Sequence, residues 1–223
     1  MPKIIFVRHG QAQFGQANYD KLTEVGHEQA VALGAALFEQ GITIDHWVRG
    51  DMVRHAETLR GISQGMRTQV SRQIVTTDLN EYDFTGLLNA RFVDGKAPAG
   101  LHTDRKTHFR LLRETLALWQ NDEIANPPES WATFETRLKR AQQTIFGLEG
   151  DTILVVSSGG AISKIVANAL GVSHAKQVDL QLQIKNASMS TLIYSRRTGG
   201  FFLNVFNEIP FVSAKTQHLL TYS

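Results

Sequence analysis

Lys3-Ile4-Ile5-Phe6-Val7-Arg8-His9-Gly10 is a short apolar run that ends directly in a cation, an imidazole and a glycine. A short apolar run closed by a break in pattern suits a strand leaving the core. Such a strand would carry Arg8 and His9 to its carboxyl end. In open α/β sheets ligands bind in the crevice beyond the carboxyl ends of the strands, and a glycine there permits close approach to the backbone. The tripeptide therefore points to an anion-handling site. Its bland alternative is a pair of ordinary polar residues at a strand end, because a motif is decided by its context.

Three further stretches supply that context. Val48-Arg49-Gly50-Asp51-Met52-Val53-Arg54-His55-Ala56-Glu57-Thr58 reads as a strand end, a turn and a helix start, with Arg54 early enough in the helix to reach back over the crevice as a second cation. Ile74 and Val75 form another short apolar stretch, followed by Thr77-Asp78-Leu79-Asn80-Glu81-Tyr82-Asp83-Phe84-Thr85-Gly86. Glu81, just past a strand end, is a candidate proton donor. Residues 152–156 form the strongest strand signal, and they break into Ser157-Ser158-Gly159-Gly160 before a helical pattern of Ile162, Ile165, Val166, Ala169 and Leu170. A small, glycine-rich turn feeding a helix start offers backbone N–H groups to an anion.

Between these stretches, strand-like runs alternate with helical patterns, which argues for βαβ units and a largely parallel sheet. Ala30, Leu33 and Leu37 give a first helix one apolar face, ended by Gly41. Phe134, Leu138, Ala141, Ile145 and Leu148 do the same before Gly150. Residues 188–194 and 201–206 read as two strands joined by a turn at 197–200, an antiparallel edge that makes the sheet mixed. Residues 87–129 carry a loop at Ala97-Pro98-Ala99-Gly100 and a helix marked by Phe109, Leu112, Leu116 and Trp119.

The ordered set of motifs resembles the histidine phosphatase superfamily, the phosphoglycerate-mutase-like proteins, over nearly the whole chain. Arg8-His9-Gly10 matches that family's signature. Leu22-Thr23-Glu24-Val25-Gly26 with Gln29-Ala30 is similar to the start of its first helix, and Arg54 with Thr58 matches its second arginine motif. The resemblance implies a phosphoglycerate-mutase-like, three-layer α/β/α sandwich of residues 1–223, a mostly parallel sheet with an antiparallel edge, and residues 87–129 as a cap-like insertion that chooses substrates. It implies His9 as the phosphorylated histidine, Arg8 and Arg54 as phosphate-binding arginines, and Glu81 as general acid and base. Two positions depart from the pattern. Ser158 stands where most of the family has a second histidine, and Gly15 stands where many members have an asparagine, with Asn18 nearby. The chain also resembles a branch of the family that carries Ser-Ser-Gly-Gly at this turn, with Phe206-Asn207-Glu208 and Leu220-Thr221-Tyr222 as further matches.

The implied chemistry asks for little more than these residues. Phosphoryl transfer is dominated by positioning and by charge stabilisation around the phosphoryl oxygens, which guanidinium forks provide. A neutral His9 attacking phosphorus splits one difficult step into two easier ones. A lost hydrogen bond from the second histidine to a charged oxygen would cost about 1.5–3 kcal/mol, roughly ten- to a hundredfold in rate. The Ser158 hydroxyl, with backbone N–H groups at Gly159 and Gly160, would recover part of it. The expected activity is a phosphomonoesterase working through phosphohistidine on a small phosphorylated substrate, of full or reduced turnover. The alternatives are an inactive binder of phosphate ligands and a phosphoglycerate-type mutase.

Composition narrows the rest. At 223 residues the chain suits one α/β domain with insertions. With 23 basic and 21 acidic residues the net charge is +2, too small a footprint to point to nucleic acid or an anionic membrane. Cysteine is absent, which excludes disulfides and thiolate chemistry and fits a cytoplasmic protein. No apolar span approaches membrane-crossing length. No histidine cluster has metal-site spacing, so neither metal nor cofactor is expected. His102, Arg105, Lys106, His108 and Arg110 would meet a second acidic group on the substrate if they faced the site, and otherwise form a solvated helix face. His55 reads as structural.

Overall fold

The computed structural model describes residues 1–13, 20–93, 95, 97–101 and 103–222. Gly15, Asn18 and His102 lie outside the described residues, as does the side chain of Arg105.

The apolar runs form the strands that the sequence suggests. β1 (Lys3–Arg8) and β4 (Thr152–Ser157) are adjacent and parallel, in register from Lys3 opposite Thr152 to Arg8 opposite Ser157. β2 (His46–Arg49) lies on the other side of β4, and β3 (Ile74–Val75) lies outside β2, all parallel. β5 (Met189–Tyr194) runs antiparallel to β1, and β6 (Phe201–Glu208) runs antiparallel to β5. The strand order is β3-β2-β4-β1-β5-β6, so the sheet is mixed, with the antiparallel pair on one side.

Because successive side chains of a strand alternate between faces, the runs in β1 and β4 feed two cores at once. Ile5, Val7, Leu154 and Val156 pack with Leu33 and Leu37 of α1 (Glu24–Glu39) and with Leu59 and Ile62 of α2 (Val53–Gly65). Ile4, Phe6, Ile153 and Val155 pack with Ala141 and Ile145 of α5 (Trp131–Phe146) and with Ile162, Ile165 and Val166 of α6 (Gly159–Leu170). Helices on both faces of the sheet give a three-layer α/β/α sandwich. Truncating one of these buried aliphatic side chains to alanine costs about 2–5 kcal/mol.

Helix boundaries follow local chemistry. Thr23 caps α1, its hydroxyl accepting the Gly26 N–H at 3.0 Å, and Gly41 lies just past the helix end at φ +68°. Ser158 is the N-cap residue of α6, so Gly159 and Gly160 belong to the first turn of the helix and do not form a separate turn before it.

Two helices follow the loop that carries Glu81: α3 (Phe84–Arg91), capped by Asp83, and α4 (Arg105–Gln120), capped by Asp104. A further helix that the sequence pattern does not announce, α7 (His174–Gln183), is capped by Ser173. Leu112, Leu116 and Trp119 of α4 join Tyr82, Phe134, Leu138, Ala161 and Val178 in a third core that ties α4 and α7 to α5 and α6.

Candidate active site

β1, β4 and β2 are parallel neighbours, so Arg8, Ser157 and Arg49 all stand at their carboxyl edge. At that edge lies a cavity lined by Arg8, His9, Arg54, Glu81, Tyr82, Phe84, His108, Phe109, Leu112 and Gln181. Four of the candidates from the sequence, Arg8, His9, Arg54 and Glu81, therefore line one cavity although they come from three distant segments.

His9 is buried, and its Nδ1 lies 2.7 Å from the Gly10 carbonyl oxygen. A carbonyl only accepts, so Nδ1 carries the proton and donates, which leaves the lone pair on Nε2. Burial, reinforced by the charges of Arg54 and Arg8 and by His55, holds the His9 pKa well below the usual imidazole range. The ring is therefore neutral at neutral pH. Behind it, the Gly10 N–H donates to Thr58 Oγ1 at 3.0 Å, and Thr58 Oγ1 donates to the Arg54 carbonyl at 2.7 Å, which ties the histidine turn to α2. The close approach that Gly10 permits is to protein: a Cβ there would stand 2.4 Å from the Gly26 carbonyl oxygen.

Arg8 donates through Nη1 to the Ile184 carbonyl. Arg54 is buried and donates through Nη1 to Asp20 Oδ1 at 2.9 Å, while Asp20 Oδ2 accepts the Val53 N–H at 2.9 Å. Arg54 thus enters the cavity from the first turn of α2.

Glu81 faces the same space. Its Oε2 accepts the Gly160 N–H at 2.9 Å. Burial raises its pKa above the usual carboxylate value, against the lowering effects of the Gly160 N–H and the charges of Arg54, Arg8 and Arg137. The loop before it is pinned. Arg137 donates to the carbonyls of Asp78 and Asn80 at 3.1 and 2.7 Å while its guanidinium forks onto Glu129, and Ser157 Oγ donates to the Leu79 carbonyl at 2.6 Å.

Ser158 and Gly159 do not line the cavity; both are buried immediately beside it. Ser158 Oγ lies 2.8 Å from His55 Nε2, and the Cβ position of Gly159 is 3.6 Å from Arg8 Nε. The N–H of Gly160, expected to serve an anion, is directed to Glu81. Of the basic residues expected near a second acidic group, His108 lines the cavity, whereas Lys106 and Arg110 are exposed and Arg110 pairs with Glu114 at 3.1 Å. Tyr82, Phe84, Phe109, Leu112 and Gln181 escaped the sequence reading as site residues. Tyr82 and Phe84 flank Glu81 closely enough to have suggested themselves, but Gln181 sits on the unannounced α7.

The histidine phosphatase superfamily (branch 1) model matches residues 4–208. The chain belongs to this superfamily. Within the superfamily, a 2,3-bisphosphoglycerate-dependent phosphoglycerate mutase of Sinorhizobium fredii is 25% identical over 174 residues, 73% of this chain and 77% of that protein. A mycobacterial glucosyl-3-phosphoglycerate phosphatase, solved with inorganic phosphate, superposes with a TM-score of 0.66 at 23% identity, covering 96% of this chain and 100% of that one. The alpha-ribazole phosphatase of Shigella flexneri superposes with a TM-score of 0.63 at 21% identity, covering 92% of this chain and 96% of that one. The superpositions establish the phosphoglycerate-mutase-like fold. Among the described residues, no helix is long and apolar enough to cross a membrane.

Proposed function

We propose that the protein is a phosphomonoesterase that hydrolyses a small phosphorylated molecule through a phosphohistidine at His9. One observation carries the reading: a histidine whose lone pair is fixed on Nε2 shares a cavity with a carboxyl held by the Gly160 N–H and with two arginines. In the first step His9 Nε2 attacks phosphorus, the P–O bond to the alcohol breaks, and protonated Glu81 gives its proton to the departing oxygen. Arg8 and Arg54 hold the phosphoryl oxygens as charge builds on them, with Ser158 and the Gly159 N–H beside them. In the second step the Glu81 carboxylate takes a proton from water, the hydroxide oxygen bonds to phosphorus, and the P–N bond breaks to return neutral His9 and inorganic phosphate. Positioned proton transfer of this kind contributes about 10²–10⁴-fold.

The rest of the lining favours hydrolysis of a phosphate ester with an uncharged leaving group. Phe84, Phe109, Leu112 and Tyr82 contribute to it beside His108 and Gln181, and among the described residues no lysine and no arginine other than Arg8 and Arg54 lines the cavity. A carboxylate or second phosphate on the substrate would be buried there without a cation, which is costly. Residues 87–129, which carry Phe109 and Leu112, act in this reading as the cap that selects the leaving group, and the absence of cysteine suits a cytoplasmic setting. The mutase names of the curated relatives support a second reading, a phosphoglycerate-type mutase.

Steady phosphate release from p-nitrophenyl phosphate, abolished in His9→Ala, with an acid-labile phosphoryl group trapped on His9, is the expected result. Release that survives His9→Ala would sink the phosphohistidine route. Phosphate binding without turnover would leave a binder, and transfer that requires a bisphosphorylated primer would mark a mutase.

A further inference from the structure

Ser158 and His55 lie 103 positions apart in sequence, yet His55 Nε2 and Ser158 Oγ are 2.8 Å apart with both side chains fully buried. Strand alternation explains why this contact belongs to the site. In β1 and β4, Ile5 and Val7 share one face with Leu154 and Val156, packed against α1 and α2. Two residues beyond Val7 and Val156, just past the strand ends, stand His9 and Ser158, on neighbouring segments joined by the His9 N–H to Ser157 carbonyl bond at 3.0 Å. Ser158 is thus the lateral neighbour of His9. His55, from the first turn of α2, closes the group: its ring centroid is 5.9 Å from that of His9.

The hydrogen-bonding roles within the pair follow from what surrounds the imidazole. His55 Nδ1 is buried without a hydrogen-bond partner among the described residues. It faces Gly50, where a Cβ would stand 2.2 Å away. A proton on Nδ1 would leave a buried donor unpaired, at a cost of about 1–3 kcal/mol, whereas an unpaired lone pair there is the milder defect. The proton therefore sits on Nε2 and is donated to Ser158 Oγ. Burial, then the charges of Arg54 and Arg49, hold the His55 pKa well below its usual range, so the ring stays neutral. With its oxygen accepting from His55, the serine must place its own proton elsewhere. No second partner for that hydroxyl is present among the described residues, and Ser158 as N-cap makes no side-chain cap bond to α6.

We infer that Ser158 is a donor to the phosphoryl group carried by His9 and that His55 is its positioning residue, fixing the serine so that its hydroxyl proton points to a phosphoryl oxygen. His55 is then neither inert packing nor a second base. It acts through the serine and never meets the substrate. The inference rests on the phosphomonoesterase reading for its kinetic form but needs only an anion beside His9.

The test is a double-mutant cycle on the full-length protein with p-nitrophenyl phosphate as substrate and inorganic phosphate as ligand. Ser158→Ala is expected to lower kcat about ten- to a hundredfold, the worth of a hydrogen bond to a charged oxygen. His55→Phe should give the same loss, the double variant no more than either single one, and His55→Gln, whose amide can still donate to Oγ, should recover most of it. Calorimetric affinity for inorganic phosphate should follow the same non-additive pattern. A Ser158→Ala protein with the wild-type kcat and phosphate affinity would overturn the inference, as would losses that multiply in the double variant. If His55→Phe does not fold, Ser158→Thr against Ser158→Ala decides: recovery with threonine supports the donor, equal loss overturns it. If the wild type binds phosphate but does not hydrolyse the ester, the phosphatase reading fails while the affinity cycle still judges the pair.

Discussion

Gly160 gives its backbone N–H to Glu81 Oε2 at 2.9 Å and leaves no room for a side chain, since a Cβ there would stand 2.2 Å from Glu81 Oε1 and 2.5 Å from Tyr82 Cε1. The glycine therefore sets where the carboxyl sits. Gly160→Ala should push Glu81 off its position and lower kcat by about 10²-fold or more, the scale of a lost general acid. At Gly159 the atom nearest to an added methyl would be Arg8 Nε at 3.6 Å, ordinary contact, so Gly159→Ala should lose far less. Steady-state hydrolysis by the two variants, with circular dichroism as the check on folding, separates them; equal losses would remove the special role of Gly160.

The pH profile should carry the signature of His9 and Glu81. In the proposed mechanism His9 attacks when neutral, and its pKa is held down by burial, Arg54 and Arg8, so activity should persist on the acid side below the ordinary imidazole range. In the same mechanism Glu81 donates when protonated, and its pKa is raised by burial, so the alkaline limb should lie above the ordinary carboxylate range. Arg54 lowers both values. Arg54→Gln should accordingly move both limbs of the kcat/KM profile to higher pH, besides costing about ten- to a hundredfold in rate. A profile that only drops without shifting would contradict the coupling.

Much of this site was legible because its residues sit at ends of elements. Arg8 and His9 close an apolar run, Ser158 closes another, and Arg54 opens a helix, each a change of pattern visible along the chain. What could not be read depends on contacts across the fold. Nothing local links His55 to Ser158, or Glu81 to the N–H of Gly160 79 positions away. The glycines of Gly159-Gly160 suggest an anion turn, but the helix already includes them, and one of their N–H groups is directed to a carboxyl. The outer wall was opaque for a similar reason: Phe109 and Leu112 read as core stripe, and only tertiary packing makes them lining.

Glu81 should also lower stability at neutral pH. A carboxyl whose folded pKa is raised contributes stability that is fully present below the unfolded pKa and is lost as pH rises through the folded one. Glu81→Gln keeps an acceptor for the Gly160 N–H and removes the buried charge. Its melting temperature should exceed that of the wild type at neutral pH, and the difference should close as the pH falls below the ordinary glutamate range. Thermal melts across that window check the sign; a variant less stable at neutral pH would mean that the ionised carboxylate is instead held favourably by Arg8 and Arg54.

The apolar wall makes a prediction about choice of substrate. Phe109 lines the cavity beside His108, whose Nδ1 donates to the Leu101 carbonyl at 3.0 Å, so the imidazole is tied to the protein frame on that side. A substrate whose leaving group carries a carboxylate would place it against Phe84, Phe109 and Leu112, where desolvation is not offset by an opposite charge. Phe109→Arg would supply that charge in the lining of the same cavity. It should raise kcat/KM for 3-phosphoglycerate relative to p-nitrophenyl phosphate by about tenfold or more, mostly through KM, because the added interaction is made in ground state and transition state alike. Should the ratio stay unchanged in a folded variant, the leaving group does not pass along this wall, and the cap would have to select substrates through other residues.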